Sequence, residues 1–186
     1  DLKAVNAMNA HHAAHPNDDD RVPLFLYYAP VLVHSPFDET PAMYTSRCGG
    51  FEANQTDAGG SVAVHGLCGL IVMFDDSVAD IQCTVEQFGW SNETVMVVVS
   101  DNGGVADTGN SPLQGWKGSL FEGGVRTRAI VHAPGILPES ASGVRFRGLS
   151  HITDWFPTLM CIATNGIWHS SASLSGHTLD GVDLWS

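Results

Sequence analysis

Hydrophobic periodicity predicts helices near the start and in the middle of the chain. Apolar residues recur every three or four positions across residues 67–88, with polar side chains mostly filling the positions between them. That spacing produces an amphipathic α-helix with one apolar stripe, and Gly89 is placed to end it. A shorter apolar face at residues 2–8 predicts another helix, and the polar stretch 11–21, which contains a proline, predicts a loop after it.

Short apolar runs predict strands between and after these helices. Residues 24–29 form a continuous apolar run that predicts a buried strand, and the β-branched run at 94–99 is typical of a strand covered on both faces. Residues 128–133 predict another short strand. A last helix is predicted to follow Asp154, which we expect to cap it, with Pro157 in its first turn. Strands that alternate with helices indicate an α/β fold with a largely parallel sheet.

Composition places the chain among acidic globular proteins. It has 186 residues, of which 44% are hydrophobic and 15% charged, and this excludes a disordered chain. The length suits one ordinary domain or part of a larger one. Acidic residues outnumber basic ones by 20 to 8, giving a net charge of −12, so the basic surface that general nucleic-acid binding needs is missing. No apolar run of ~18 residues exists that could span a membrane.

Cysteine spacing and glycosylation sequons bear on the compartment of the protein. None of the four cysteines forms a C-x-x-C pair, so neither a zinc cage nor a thioredoxin motif is indicated. Three complete disulfide pairings remain open. Sequons at Asn54 and Asn92 would be glycosylated in a secretory protein, and they favour an oxidising compartment.

A candidate cation site follows the strand predicted at residues 94–99. Ligands of parallel α/β sheets bind beyond the carboxyl ends of the strands, where Asp101 and Asn102 are located. Their side-chain oxygens suit a hard cation such as Ca²⁺ or Mg²⁺. The glycines that follow permit a tight turn, so D-N-G-G is equally interpretable as a turn sequence alone. Two ligands do not complete such a site, and others must come from elsewhere.

Two further residues are candidates for binding an anion. Lys117 is one of only two lysines and lies among small residues, where its ammonium group can approach an anion closely. His34 follows the strand predicted at 24–29 and could donate a proton or a hydrogen bond to an anionic ester. In isolation each is equally interpretable as a surface or structural residue. Together with the cation site they suit the cleavage of a sulfate or phosphate ester.

Several longer motifs, in order along the chain, resemble one known family. They are PLFLYYAP at 23–30, HSP at 34–36, VSDNGG at 99–104, PLQGWKGSLFEGGVR at 112–126, HITDWFPTL at 151–159 and LDGVDLW at 179–185. In order and spacing these segments resemble the arylsulfatase B-like branch of the type I sulfatases. The resemblance covers most of residues 22–186.

This resemblance implies an alkaline-phosphatase-like, three-layer α/β/α fold and a bound Ca²⁺. By motif, Asp101 and Asn102 would be calcium ligands, Lys117 would contact the sulfate, and His34 would contact the sulfate or assist the leaving group. Members of the family hydrolyse aryl sulfates or sulfated sugars. They do so with a formylglycine, which is made from the cysteine of a C-x-P-x-R motif.

The chain departs from the family in one respect that matters for catalysis. None of its four cysteines lies in C-x-P-x-R, and the early paired aspartates that complete the family's calcium shell are also absent. We therefore expect residues 1–186 to be the later portion of a sulfatase catalytic domain whose N-terminal portion supplies these groups. The alternative is a truncated relative without catalysis. This segment alone is expected to be inactive, and the remainder of the same sulfatase would be its partner.

The leading hypothesis is therefore a portion of a secreted or lysosomal arylsulfatase that acts on aryl sulfates or sulfated glycans. A second hypothesis is a non-catalytic, sulfatase-like extracellular protein that is structural or binds sulfated glycans. A third is a phosphatase or phosphodiesterase of the same superfold, because a fold does not fix the chemistry.

Overall fold

The computed structural model describes residues 2–17, 22–37, 39–49, 60–105, 110–168 and 178–185, in two compact units, Asp1–Glu139 and Ser140–Ser186. The helices are α1 (Leu2–Ala14), α2 (Ala42–Thr45), α3 (Gly60–Gln87), α4 (Glu122–Val125) and α5 (Trp155–Ala163). The strands are β1 (Met96–Val99) and β2 (Ala129–His132), and single 3₁₀ turns lie at Ser91–Glu93, Glu139–Ala141 and Ile152–Asp154. Within these residues, no helix combines the length and apolar character needed to cross a bilayer.

Helix α3 confirms the prediction from hydrophobic periodicity, although it begins earlier than the periodic stretch. Its end is fixed by Gly89, whose φ of +71° is readily adopted by glycine. The N–H of Gly89 donates to the carbonyl of Glu86 at 3.0 Å, and the N–H of Trp90 donates to the carbonyl of Val85 at 2.9 Å. This pair of bonds satisfies carbonyls that the helix end leaves without partners, as in a Schellman motif.

Helix α1 packs against the end of α3 through aromatic rings. The rings of His12 and Phe88 are stacked with centroids 4.0 Å apart, and Trp90 meets His12 edge-on at 5.7 Å. The predicted loop at 11–21 was therefore wrong in its first four positions, since α1 continues to Ala14. Polarity alone suggested a loop there, but the histidine rings gain contacts that only the helix provides.

A disulfide joins the segment that follows α2 to helix α3. Cys48 and Cys68 form the bond, which settles one part of the pairing that the sequence left open. An exposed ion pair between Arg47 and Asp76 connects the same segment to α3. The guanidinium group donates a hydrogen bond to the carboxylate, which lowers the pKa of Asp76 below its ordinary value.

Strands β1 and β2 confirm two of the predicted strands but pair antiparallel. Met96 lies opposite His132 and Val99 opposite Ala129. Parallel neighbours need a crossover that is usually helical, whereas the described part of the connection between these strands contains only the four-residue α4. Burial of β1 on both faces was also expected, yet β1 is half-exposed, and β2 is exposed as well. A two-stranded ladder leaves its outer edges and much of its faces uncovered.

The third predicted strand, at residues 24–29, is not formed. This segment has no ladder partner among the described residues, and its aromatic side chains are open to solvent: Phe25 is 76% and Tyr27 82% exposed. A strand is stable only when a neighbour satisfies its backbone N–H and C=O groups. An apolar run favours burial, but it does not provide a neighbouring strand to pair with.

The unit Ser140–Ser186 is organised around Asp154. Its carboxylate accepts hydrogen bonds from the N–H groups of His151 at 2.7 Å and Val182 at 2.9 Å. The prediction that Asp154 caps α5 with its side chain was therefore wrong, because that side chain reaches back to the preceding turn and across to the later segment. Pro157 does lie in the first turn of α5, as predicted, and is fully buried.

Candidate functional site

The segment after β1 forms a turn that presents oxygen atoms. The N–H of Asn102 donates to Oδ1 of Asp101 at 2.8 Å, and the hydroxyl of Ser100 donates to the carbonyl of Asn102 at 3.0 Å. The side-chain amide nitrogen of Asn102 donates to the carbonyl of Gly103 at 2.8 Å. Asp101 is exposed and Asn102 is half-buried, so the carboxylate is open to solvent at the end of the strand.

Gly103 fixes this turn against α4. Its N–H donates to the carbonyl of Gly124 at 2.9 Å. A Cβ at this position would overlap the carbonyl of Gly123, so only glycine fits so close to the neighbouring backbone. The first glycine of D-N-G-G is thus required by packing, whatever ligand the turn binds.

The loop that carries Lys117 is bonded directly to the same turn. The N–H of Lys117 donates to the carbonyl of Gly104 at 2.8 Å. Around the lysine, the N–H of Trp116 donates to the hydroxyl of Ser119 at 3.0 Å, and the N–H of Ser119 donates to the carbonyl of Trp116 at 2.8 Å. These bonds tie the backbone of Lys117 both to its own loop and to the turn after β1.

His34 approaches Lys117 from a distant part of the sequence. Its Nε2 atom lies 3.5 Å from Nζ of Lys117, and both residues are exposed. Its Nδ1 atom lies 2.9 Å from the carbonyl of Ser35. Because a carbonyl only accepts hydrogen bonds, Nδ1 is the donor in this contact, and Nε2 is the ring nitrogen that faces Lys117.

The structure therefore brings the predicted site residues together in pairs. Lys117 meets His34 through its side chain and the turn of Asp101 and Asn102 through its backbone. All of these residues lie in the unit Asp1–Glu139. An exposed ammonium and imidazole side by side form a place where one anion can accept hydrogen bonds from both.

The oxygen donors of this turn fit a calcium ion only as part of a larger set. Ca²⁺ takes about six to eight oxygen ligands. Across the portion of the chain that the structure describes, no three His, Cys, Asp or Glu side chains come close enough to hold an ion. A carboxylate and an amide from Asp101 and Asn102 are the hard donors that calcium prefers, and further ligands must come from other groups.

The cysteines do not fit the nucleophile that the resemblance implies. Cys48 and Cys68 are joined in the disulfide, Cys161 is buried, and Cys83 is exposed on α3. Hydrogen bonding to Asp183, together with burial, raises the pKa of the Cys161 thiol and so disfavours its reactive thiolate. None of the four lies in C-x-P-x-R. This chain therefore supplies no residue for a formylglycine.

Asn110 is a residue of this region that the sequence analysis missed. Its Oδ1 accepts from the N–H of Gly104 at 2.9 Å, and its Nδ2 donates to the carbonyl of Gly104 at 2.9 Å and to that of Gly115 at 3.3 Å. The one available signal was its position, since an asparagine between two glycine-rich turns is well suited to bonding nearby backbone.

Comparison with known proteins identifies the family of the chain. The sulfatase family model matches residues 9–165, a span that contains all the site residues described above. The chain therefore belongs to the sulfatase family. It is similar to arylsulfatase J of Mus musculus, with 32% identity over 169 residues, which are 90% of this chain and 25% of that protein. N-acetylgalactosamine-6-sulfatase of Canis lupus familiaris is 29% identical over 169 residues, which are 87% of this chain and 28% of that protein.

The chain spans about a quarter of the length of these two curated relatives. Its fold is also similar to that in the crystal structure of Ps i-CgsB in complex with k-i-k-neocarrahexaose, with a TM-score of 0.76 at 24% identity. The match covers 98% of this chain and 36% of that one. Family membership and this likeness together confirm the predicted alkaline-phosphatase-like α/β/α fold class.

Proposed function

We propose that the protein carrying this chain is an arylsulfatase of the arylsulfatase B-like branch, which hydrolyses sulfate esters of aryl alcohols or sulfated glycans. The observation that carries the proposal is the pairing of the Lys117 and His34 side chains at 3.5 Å, beside a turn with hard oxygen donors. An otherwise acidic chain, with a net charge of −12, here presents two adjacent nitrogen groups to solvent. Such a local reversal of charge suits a bound sulfate.

In this proposal Lys117 binds a sulfate oxygen. The ammonium group places a fixed positive charge where negative charge builds up as the ester bond breaks. Its backbone is bonded to the carbonyl of Gly104, so the position of the lysine is set relative to the turn of Asp101 and Asn102. That turn would hold Ca²⁺ as part of a larger ligand set, and the ion would supply neutralisation of charge on the sulfate.

His34 is proposed to donate its Nε2 proton toward the sulfate or the departing oxygen. Its Nδ1 is held by the carbonyl of Ser35, which aims Nε2 at Lys117 and the space beside it. When Nε2 is protonated, both residues are donors, and an anion between them relieves the repulsion of their charges. General acid assistance of this kind lowers the barrier most for leaving groups that are poor on their own.

The nucleophile is proposed to come from outside these 186 residues. No cysteine of the chain fits the formylglycine motif, so the residues described here bind and polarise the ester but do not attack it. We accordingly expect the isolated segment to be inactive and to act together with the remaining sulfatase polypeptide.

A secreted or lysosomal location is proposed on two grounds. The Cys48–Cys68 disulfide suits an oxidising compartment. Asn92 is exposed on the 3₁₀ turn Ser91–Glu93, where an oligosaccharide would extend into solvent. The other sequon, at Asn54, lies outside the described residues.

A second candidate function is a non-catalytic protein that binds sulfated glycans. It is supported by the exposed Lys117–His34 pair, which can bind a sulfate group without any nucleophile. The same anion site would then serve binding alone.

One assay separates these functions. The native protein is offered an aryl sulfate and the matching aryl phosphate, before and after removal of divalent cations by chelation. Hydrolysis of the sulfate alone, lost on chelation and regained with added Ca²⁺, is the expected result. Saturable binding of a sulfated glycan without turnover would support the binding protein, and preference for the phosphate would overturn the sulfatase assignment in favour of a phosphatase.

A further inference from the structure

We propose that Asn110 is a positioning residue that sets the distance between the calcium-binding turn and Lys117. The inference deepens the proposed function and rests on it for its catalytic readout. The side chain of Asn110 is half-buried, and its hydrogen bonds reach backbone groups beside the predicted ligands. Residues 106–109, which connect it to the turn, lie outside the described residues.

The amide of Asn110 pairs with one residue in both directions. Its oxygen accepts from the N–H of Gly104 and its nitrogen donates to the carbonyl of the same residue, each at 2.9 Å. This is the pattern with which neighbouring residues of a β-ladder bind each other. Such a two-point contact fixes the orientation of the Gly104 backbone as well as its location.

Gly104 connects the turn after β1 to the loop that carries Lys117. Its carbonyl also accepts from the N–H of Lys117 at 2.8 Å. Asn110 reaches the lysine loop independently, since its nitrogen lies 3.3 Å from the carbonyl of Gly115. One side chain therefore braces the turn after β1 and the loop before Lys117 at the same time.

Hydrolysis of a sulfate ester at this site requires a fixed distance between the turn and Lys117. Asp101 and Asn102 would hold the metal and Lys117 would bind one oxygen of the same sulfate, so the turn and the lysine must keep a fixed spacing. Misplacement of a catalytic group by about 1 Å costs up to ~100-fold in rate. Glycine-rich turns do not hold that spacing by themselves, because glycine has the greatest backbone freedom.

The test uses the native protein and three variants. Asn110→Ala removes every bond, whereas Asn110→Asp keeps the shape and the acceptor for the Gly104 N–H but turns a carboxylate toward two carbonyls. Thr84→Ala is the matched control, since this buried threonine on α3 donates only to the carbonyl of Asp80 within its own helix. Turnover, KM, the Ca²⁺ concentration for half activation and Tm are measured for each.

We expect both Asn110 variants to need about tenfold more Ca²⁺ and to lose ~10-fold or more in kcat, with excess Ca²⁺ restoring part of the activity. Thr84→Ala should lower Tm without moving the calcium dependence. Unchanged calcium dependence in Asn110→Asp, or losses in Asn110→Ala no larger than those of Thr84→Ala, would overturn the positioning role. Inactive wild-type protein would instead overturn the proposed function, and Ca²⁺ affinity by titration calorimetry would still decide the role of Asn110.

Discussion

Nζ of Lys117 lies 3.5 Å from Nε2 of His34, although 83 positions of sequence separate the two residues. An anion beside these two nitrogen atoms can accept hydrogen bonds from both groups. Nδ1 of His34 already donates to the carbonyl of Ser35, so Nε2 can accept a hydrogen bond from the ammonium group in the absence of an anion. The pair is thus suited to exchange its internal hydrogen bond for bonds to sulfate.

Replacing Lys117 tests the fixed charge of the site. We expect Lys117→Ala in the native protein to reduce kcat by about 10²–10³, the usual cost of losing one donor to developing negative charge. Lys117→Arg keeps the charge and should lose less. Lys3→Ala, which removes the only other lysine, is the control and should leave turnover unchanged. Near-wild-type kcat in Lys117→Ala would refute the assigned role.

His34 is tested by its dependence on the leaving group. His34→Gln keeps a hydrogen-bonding side chain but cannot transfer a proton. We expect kcat to fall by ~10²–10⁴ for a sulfate ester of an alkyl alcohol, and by much less for an aryl sulfate with an acidic phenol. Steady-state kinetics with both substrates measure the two losses. Equal losses would show that His34 binds sulfate without donating a proton.

The proposed calcium ligand Asp101 is tested by measuring the metal content of the protein. Asp101→Ala removes the carboxylate at the end of β1, and we expect the purified variant to lose bound Ca²⁺ by elemental analysis. Asp75→Ala is the matched control, because it removes an exposed carboxylate from the middle of α3. Full calcium content in the Asp101 variant would exclude this residue as a ligand.

Asp154 gives a prediction about stability and pH. The two N–H groups that donate to its carboxylate lower its pKa below the ordinary 3.8. A lowered folded-state pKa means that the stabilisation is complete above 3.8 and is lost as the pH falls through the lowered value. We expect Asp154→Ala to reduce the free energy of unfolding by about 2 kcal/mol near neutral pH.

Urea unfolding from about pH 6 to about pH 2 measures this effect, because the difference between wild type and Asp154→Ala should shrink toward acid. Asp154→Asn keeps an uncharged acceptor of the same shape and is the control. A difference between wild type and Asp154→Ala that stays constant over this range would contradict the account.

The Cys48–Cys68 disulfide gives a second stability prediction. It closes a loop with a sequence separation of 20 residues. Restricting an unfolded loop of this size is worth roughly 3 kcal/mol. We expect the double variant Cys48→Ser, Cys68→Ser to unfold at correspondingly lower denaturant concentration. A reductant should lower the denaturation midpoint of the wild type but not that of the double variant. A wild-type midpoint that the reductant leaves unchanged would argue against a stabilising bond.

The sequence predicted those elements whose signal is local. Helix α3 has a long regular period, and the β-branched runs at β1 and β2 identify strands without any knowledge of neighbours. The direction of strand pairing was not predictable in the same way, because it depends on how the connecting segment returns. Residues 24–29 failed as a strand for a related reason, since an apolar run does not reveal which segment could pair with it.

The candidate site shows the same division. The rule that ligands bind at the carboxyl ends of strands selected Asp101 and Asn102, and scarcity of lysine drew attention to Lys117. Asn110 was missed because its part in the structure consists entirely of bonds to main-chain atoms, which leave no pattern in the spacing of residue types. Such supporting residues become visible only once the backbone is placed.

The shared Gly104 backbone has a thermodynamic consequence. Since the same carbonyl accepts hydrogen bonds from the Lys117 amide and the Asn110 side chain, one backbone group links the lysine loop to the turn after β1. If the turn after β1 binds a cation and the Lys117–His34 pair binds an oxyanion, as proposed, each ligand changes the affinity for the other by the same factor, as any two linked equilibria require. Because the two ligands carry opposite charges, the proposed site would bind the metal and the ester together more tightly than either one alone.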